Sequence, residues 1–256
     1  MPILDMVVIV TMAVWGFMTA WFLLSYMVDR ADLIDIAWGL GFVWAAWLTW
    51  MLQGGGLGIK LAAAEFTTLW GLRLSLHILR RNVHKAEDHR YQEYRDKWGK
   101  HFWTFSYFRI FLVQGVLIVA ISSSVMAIML ATATARSWLA VIGFVVWGLG
   151  IVLEAEADAE LVKFVRRKQP GQIMTSGLWR YSRHPNYFGE LTTWWGVAIV
   201  AISFGQWWGV IGAAVITLLI TKISGIPLLE KHYANNKAFQ RYKAHTSILI
   251  PLPPKK

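Results

Sequence analysis

Cysteine is absent from the sequence, which excludes disulfides, thiolate metal sites and a cysteine nucleophile. Charge is scarce too: 16% of the residues are charged, against about 25% in a soluble domain. No internal repeat or low-complexity tract stands out, and the stretches between apolar runs are too short to hold a soluble domain. The first apolar run lacks both a preceding basic region and a small-residue cleavage pattern, so it is expected to persist as a span. With these exclusions, a chain of 256 residues that is 56% hydrophobic is expected to form a single membrane domain, residues 1–256. Any chemistry then belongs inside a helix bundle or at its cytoplasmic mouth.

A helix needs about 20 apolar residues to cross the hydrocarbon core. Seven segments approach that length: Ile3–Val28, Leu33–Leu52, Leu57–Leu79, Ile110–Ala131, Trp138–Leu153, Tyr187–Phe204 and Trp207–Ile223. The expected fold is therefore all-α and polytopic, with about seven transmembrane helices. The fifth segment reaches full length only if its helix continues through Glu154–Phe164. Gly205-Gln206 alone separates the sixth from the seventh, which predicts a tight hairpin. The 16 Trp residues suit the two membrane interfaces. Basic residues collect in Arg80–Phe108, in Glu154–Asn186 and in the tail after Ser224, whereas Gln53–Gly56, Thr132–Ser137 and Gly205-Gln206 hold only Arg136. The positive-inside rule then puts the N-terminus outside and the C-terminus in the cytoplasm. It also accounts for the net charge of +10 without a nucleic-acid partner; membrane lipids are the expected surroundings.

Charges within spans are expensive and face the protein interior. Asp35 lies one turn into the second segment, in Asp35-Ile36-Ala37-Trp38-Gly39, and Arg73 lies in the third, in Trp70-Gly71-Leu72-Arg73. The two are candidates to pair with each other, and Arg73 is long enough to snorkel to the surface. Asp35 is too short for that, and desolvation favours its neutral, hydrogen-bond-donating form. The polar run from Arg81 to Tyr91 reads by composition as a solvated loop. Glu154-Ala155-Glu156-Ala157-Asp158-Ala159-Glu160 puts a carboxylate at every second position. On a helix Glu154 and Asp158 share one face and Glu156 and Glu160 another, as in a helix extending into water. Arg166-Arg167-Lys168 reads either as a phosphate site or as the inside flank of the fifth segment.

The densest signal is Gly177-Leu178-Trp179-Arg180-Tyr181-Ser182-Arg183-His184-Pro185-Asn186-Tyr187-Phe188-Gly189-Glu190. His184-Pro185 opens the sixth segment as a helix N-terminus does, with Pro near the first position. Such a terminus attracts anions, and Arg180 and Arg183 reinforce that. Tyr181 and Tyr187 offer rings for stacking, and Asn186 offers a donor and an acceptor. Glu190 shares a face with Asn186 and is expected to face a polar cavity.

This stretch resembles the C-terminal signature of the steroid 5-alpha-reductase and sterol-reductase superfamily. The whole chain resembles more closely its bacterial, DUF1295-like branch. The likeness covers Asp35–Phe42, Trp70–Arg73, Glu87-Asp88-His89-Arg90-Tyr91, Glu156-Ala157-Asp158 and Ile226–Glu230. It implies a multi-pass protein of the bacterial inner membrane. It also implies a seven-helix, NADPH-dependent reductase of a lipid-like enone, steroidal or otherwise, with the signature in residues 138–256. By resemblance Asn186, Glu190 and Trp194 match cofactor and substrate positions of the sixth helix, Trp38 joins Trp194 at the substrate, and Asp158 matches an acidic cofactor contact. Asp35 is the counterpart of a catalytic carboxylate, and Trp70 stands near the place of a catalytic Tyr. Arg73, Arg81, Arg180 and Arg183 are candidates for the cofactor phosphates, because guanidinium binds phosphate in bidentate fashion. Asn82, Glu87, Asp88, Arg90, Tyr91, Trp179, Tyr181, His184, Tyr187 and Glu230 complete the expected cofactor surroundings. The rival reading is a membrane methyltransferase using S-adenosylmethionine, of the isoprenylcysteine or phospholipid type, which shares the Arg-His-Pro-x-Tyr-x-Gly core. The Asn before Tyr187, the Glu after Gly189 and the absence of paired glutamates in the tail favour the reductase. For the topology, a reporter fused after Lys256 is expected to be active in the cytoplasm; activity confined to the other side of the membrane would overturn it.

Overall fold

The computed structural model describes residues 2–56, 58–83 and 85–255. Leu57, at the start of the third expected segment, and His84, within the polar run, lie outside the described residues. Among the described residues the regular structure is helical, and the one β feature is an isolated bridge between Ser182 and Ser247. Contacts divide the chain into two compact units, Met1–Ala133 and Thr134–Lys256.

The first unit holds α1 (Ile3–Met27), α2 (Leu33–Leu52), α3 (Ile59–Asn82), α4 (His89–Trp98), α5 (Phe102–Ser106) and α6 (Leu112–Leu130). A 3-10 turn, Gly99–His101, joins α4 to α5, and a π turn, Tyr107–Phe111, joins α5 to α6. The basic segment expected as a loop is thus largely helical, in one run from His89 to Leu130. Asp88 starts it by accepting the Arg90 backbone N–H at 3.0 Å, as an N-cap carboxylate does. α2 and α3 meet at glycines: a Cβ added to Gly39 would lie 2.4 Å from the Gly71 carbonyl oxygen, and one added to Gly71 would lie 2.5 Å from that of Gly39. Ser75, beside this crossing, donates to the Ile36 carbonyl at 2.8 Å.

The second unit holds α7 (Ser137–Val165), α8 (Pro185–Ser203), α9 (Val210–Leu218), α10 (Ile226–His232) and α11 (Lys237–His245). α7 does continue through the acidic run and reaches 29 residues. The expected hairpin is present: α8 ends at Ser203, Gly205 takes φ of +76°, and a 3-10 turn at Trp207–Gly209 leads into α9. Two glycines on each of α7 and α8, seven residues apart, oppose one another in antiparallel order, Gly143 to Gly196 and Gly150 to Gly189. An added Cβ at Gly150 would lie 2.3 Å from the Thr193 nitrogen, so only glycine admits this backbone approach. Without a hydrophobic drive between helices in lipid, such close packing is a main source of cohesion.

Among the described residues five helical runs are long and apolar enough to cross a membrane: Ile3–Met27, Leu33–Leu52, His89–Leu130, Ser137–Val165 and Trp207–His232. α3 and α8, of 24 and 19 residues, have the length of spans. They are more polar, because α3 carries Lys60, Glu65 and Arg73, and α8 carries Asn186 and Glu190. Of the seven expected segments, five therefore meet both criteria.

The glycine packing yields a direct expectation. Gly196→Val places its side chain against the Trp147 backbone, 2.4 Å from the nitrogen to the first added carbon, and overpacking of this kind costs about 1–3 kcal/mol or more. Its melting temperature in detergent should fall clearly below that of Gly16→Val, since Gly16 has open space around it. Equal melting temperatures would contradict the packing.

Candidate functional site

The acidic run and the signature meet through the glycine contact. Because Gly189 has no side chain, α8 sits directly on the backbone of Glu154. Glu154 and Asp158, on one face of α7, are buried at 3% and 7% exposure, so that face points into protein and not into water. The Asn186 amide of α8 donates to the Asp158 carboxylate at 3.3 Å. Glu190 follows one turn on and is half-buried, and Trp194, a further turn along, is buried. The sequence-derived group Asp158, Asn186, Glu190 and Trp194 therefore lies on two helices in direct contact.

The turn before α8 is held by the tail. Arg183 is buried, and its guanidinium donates to Glu230 at 2.7 and 2.8 Å and to the carbonyls of Thr246 and Lys243 at 2.7 and 3.2 Å. Its backbone N–H donates to the Ser247 carbonyl at 2.8 Å. Lys243 also pairs with Glu230, at 2.7 Å. The Ser182 hydroxyl donates to the Leu249 carbonyl at 2.7 Å and accepts the His184 backbone N–H at 3.1 Å. The Tyr242 hydroxyl donates to the carbonyls of Trp179 and Ser182, while the Trp179 indole donates to the Ala157 carbonyl at 3.1 Å. Arg183, Trp179 and Glu230, expected around the cofactor, thus use their polar groups on one another and on the backbone. They tie the turn before α8 to the tail and to α7. Arg180 and Tyr181 are exposed, and Tyr187 stacks on His184 with ring centroids 5.5 Å apart.

His184 is buried, with its ring 3.4 Å from Glu230. Burial lowers its pKa from the ordinary 6.5 to about 4, outweighing the upward pull of Glu230. It is therefore a neutral imidazole at neutral pH.

The first unit assembles a second polar cluster. Asp35 accepts from the Tyr91 hydroxyl and from Arg90, each at 2.7 Å. Its partners are thus on α4, not Arg73, and both its oxygens act as acceptors. Arg90 also bonds Asp88 at 3.0 Å. Glu87 accepts the Ala31 N–H at 2.6 Å and Arg95 at 2.7 Å, and Arg95 reaches Asp29 at 3.0 Å. Arg30 forms a two-point bond with Asp32 at 2.7 and 3.0 Å and reaches the Asn82 carbonyl at 3.3 Å. Arg81 is exposed and Arg73 half-buried. Trp70 is 1% exposed and packs edge-on against Phe42 at 5.4 Å, with Trp38 on the same ring at 5.2 Å. Sequence reasoning missed Arg30, Asp32 and Arg95; the signal was the cluster Asp29-Arg30-Ala31-Asp32 between two apolar runs. Among the described residues no group of His, Asp and Glu is arranged to hold a metal ion.

These features define a helical membrane protein with buried polar clusters at its helix ends. The model of one family, "Protein of unknown function (DUF1295)", matches residues 4–246, and the chain belongs to that family. It falls within the steroid 5-alpha-reductase-like superfamily. It is similar to 3-oxo-5-alpha-steroid 4-dehydrogenase 1 of Rattus norvegicus, 31% identical over 111 residues, which is 43% of this chain and 40% of that protein. The same enzyme from Macaca fascicularis is 32% identical and that from Homo sapiens 31%, each over the same shares of the two chains. The match thus spans about two fifths of the curated relatives. No solved structure matches.

The depressed pKa of His184 sets a pH dependence. Between about 6.5 and about 4 the unfolded chain binds a proton there that the folded one does not. Stability is therefore lost as pH falls through that window, by up to roughly 3 kcal/mol from this group. His184→Gln should flatten the fall in melting temperature between pH 6.5 and 4; an unchanged slope would refute the assignment.

Proposed function

We propose that the protein is an NADPH-dependent membrane reductase that reduces the activated C=C bond of a lipid-like enone. The observation that carries this reading is the Asp158–Asn186 pair, held across the glycine contact of α7 and α8. Kinship with proteins named 3-oxo-5-alpha-steroid 4-dehydrogenase supports it. In this reading α3 and α8 also cross the bilayer of a bacterial inner membrane, giving seven spans with the N-terminus outside and the C-terminus in the cytoplasm.

The residues present suit such a cofactor. Asn186 offers an amide donor and acceptor, Asp158 and Glu190 offer carboxylate acceptors, and the half-buried Tyr187, stacked on His184, adds an aromatic ring. When bound, NADPH supplies the hydride for the β-carbon of the alkene. Negative charge then grows on the conjugated oxygen and needs a hydrogen-bond donor. Asp35, Tyr91 and Arg90 form a hydrogen-bonded cluster of the first unit, in which the Tyr91 hydroxyl and the Arg90 guanidinium donate to the Asp35 carboxylate. Trp70, buried against Phe42, keeps a packing role.

Detergent-purified protein is expected to bind labelled NADPH saturably and labelled S-adenosylmethionine not at all. Asn186→Ala should weaken NADPH binding by about tenfold, the worth of a lost polar contact at a partly buried site. Saturable binding of S-adenosylmethionine alone would establish the methyltransferase instead.

A further inference from the structure

Past α11 the backbone closes on itself. The Lys255 N–H donates to the His245 carbonyl at 2.8 Å, which makes a loop of residues 246–254. Inside it, the Ser247 carbonyl accepts the Arg183 backbone N–H at 2.8 Å and the Leu249 carbonyl accepts the Ser182 hydroxyl at 2.7 Å. The Leu252 N–H donates to the Tyr181 carbonyl at 3.0 Å. Exposure alternates along the loop. Ser247, Leu249 and Pro251 are half-buried, whereas Ile248, Ile250 and Leu252 are 47%, 58% and 52% exposed. Tyr181, joined to Leu252 through the backbone, is exposed as well. Three aliphatic side chains and a tyrosine ring are thus presented on a main chain that is held at several points.

Loops that face water are rich in polar residues, and a fixed, exposed apolar group marks a surface that something apolar covers. This loop is fastened where apolar runs end. One fastening is Tyr181–Arg183, directly before α8 begins at Pro185. The other is Glu230, near the end of the apolar run Trp207–His232. Glu230 holds Arg183, whose guanidinium also bonds the Thr246 carbonyl at the start of the loop. Leu228 and Leu229 of the same run are exposed too. A bilayer surface fits this setting, and tyrosine favours its headgroup level. The backbone sets the depth. Among the described residues the N–H groups of Ile248 and Ile250 bond to no carbonyl, and such groups do not enter hydrocarbon. We infer that residues 246–254 form an interfacial anchor: the backbone lies among the headgroups of the cytoplasmic leaflet, and Ile248, Ile250 and Leu252 dip into the acyl boundary. The grip is apolar, so it requires no anionic lipid. The inference rests on α8 crossing the bilayer from the cytoplasmic side, and not on the reductase reading.

The absence of cysteine allows single sites to be labelled. Ile250→Cys, Leu252→Cys, Lys237→Cys and Trp195→Cys, all at exposed positions, each carry a bimane fluorophore in the full chain. The labelled chains are placed in phosphatidylcholine nanodiscs. Quenching is read with nitroxide lipids labelled either near the headgroup or deep in the acyl chain. The two loop sites should lose fluorescence chiefly to the shallow nitroxide, and to the same extent at low and high salt. Lys237, at the start of α11, should be quenched much less. Trp195, midway along α8, should respond to the deep nitroxide. Loop sites quenched no more than Lys237, with Trp195 quenched, would overturn the inference alone. Failure of the deep nitroxide to quench Trp195 would remove the crossing of α8 and the inference with it. Ready disulfide linking of two Ile250→Cys chains would make a second copy the occupant and overturn the inference as well.

Discussion

The second unit depends on one constraint: α7 and α8 run antiparallel with their backbones in contact. Gly143, Gly150, Gly189 and Gly196 make that contact possible, and no side chain fits at any of them without displacing main chain. The approach brings Glu154 and Asp158 out of water and onto the start of α8, where Asn186 meets Asp158. The same device, with Gly39 against Gly71, joins α2 to α3 in the first unit. In a membrane, where apolar surface gains nothing by leaving lipid for protein, close packing and interhelical polar contacts are the available glue.

A second constraint is the cost of burying charge. A guanidinium as buried as that of Arg183 persists only when its donors are satisfied, and here Glu230 and two carbonyls near the end of α11 satisfy them. That requirement ties the tail to the turn that sets the first residues of α8. Asp35 obeys the same rule in the first unit, with Tyr91 and Arg90 as its partners.

Much of this was legible in the sequence. Apolar length located α1, α2 and the hairpin at Gly205-Gln206, because a span is defined by composition alone. The spacing of Glu154 and Asp158 on one helical face was legible for the same reason, since a period of 3.6 residues is a local property. Their burial was not, because a face turned to a partner helix and a face turned to water look alike until the partner is in place. The polar run from Arg81 to Tyr91 read as a loop on composition, and residues 85–88 do lie between the end of α3 and the start of α4 at His89. Its polar side chains are matched to Asp35 and to the α1–α2 corner, residues more than fifty positions away.

By itself, then, the sequence determined an all-helical membrane protein, the place of its basic segments, and a signature at the start of α8 that carries Asn186 and Glu190. Each of these rests on local composition or on spacing along one helix. Only the tertiary structure decided that Arg183 and Glu230 serve as a clasp and that Asp35 pairs with Tyr91 and Arg90. Those outcomes depend on which distant groups are brought within about 3 Å, the range in which a hydrogen bond forms, and no local pattern encodes that distance.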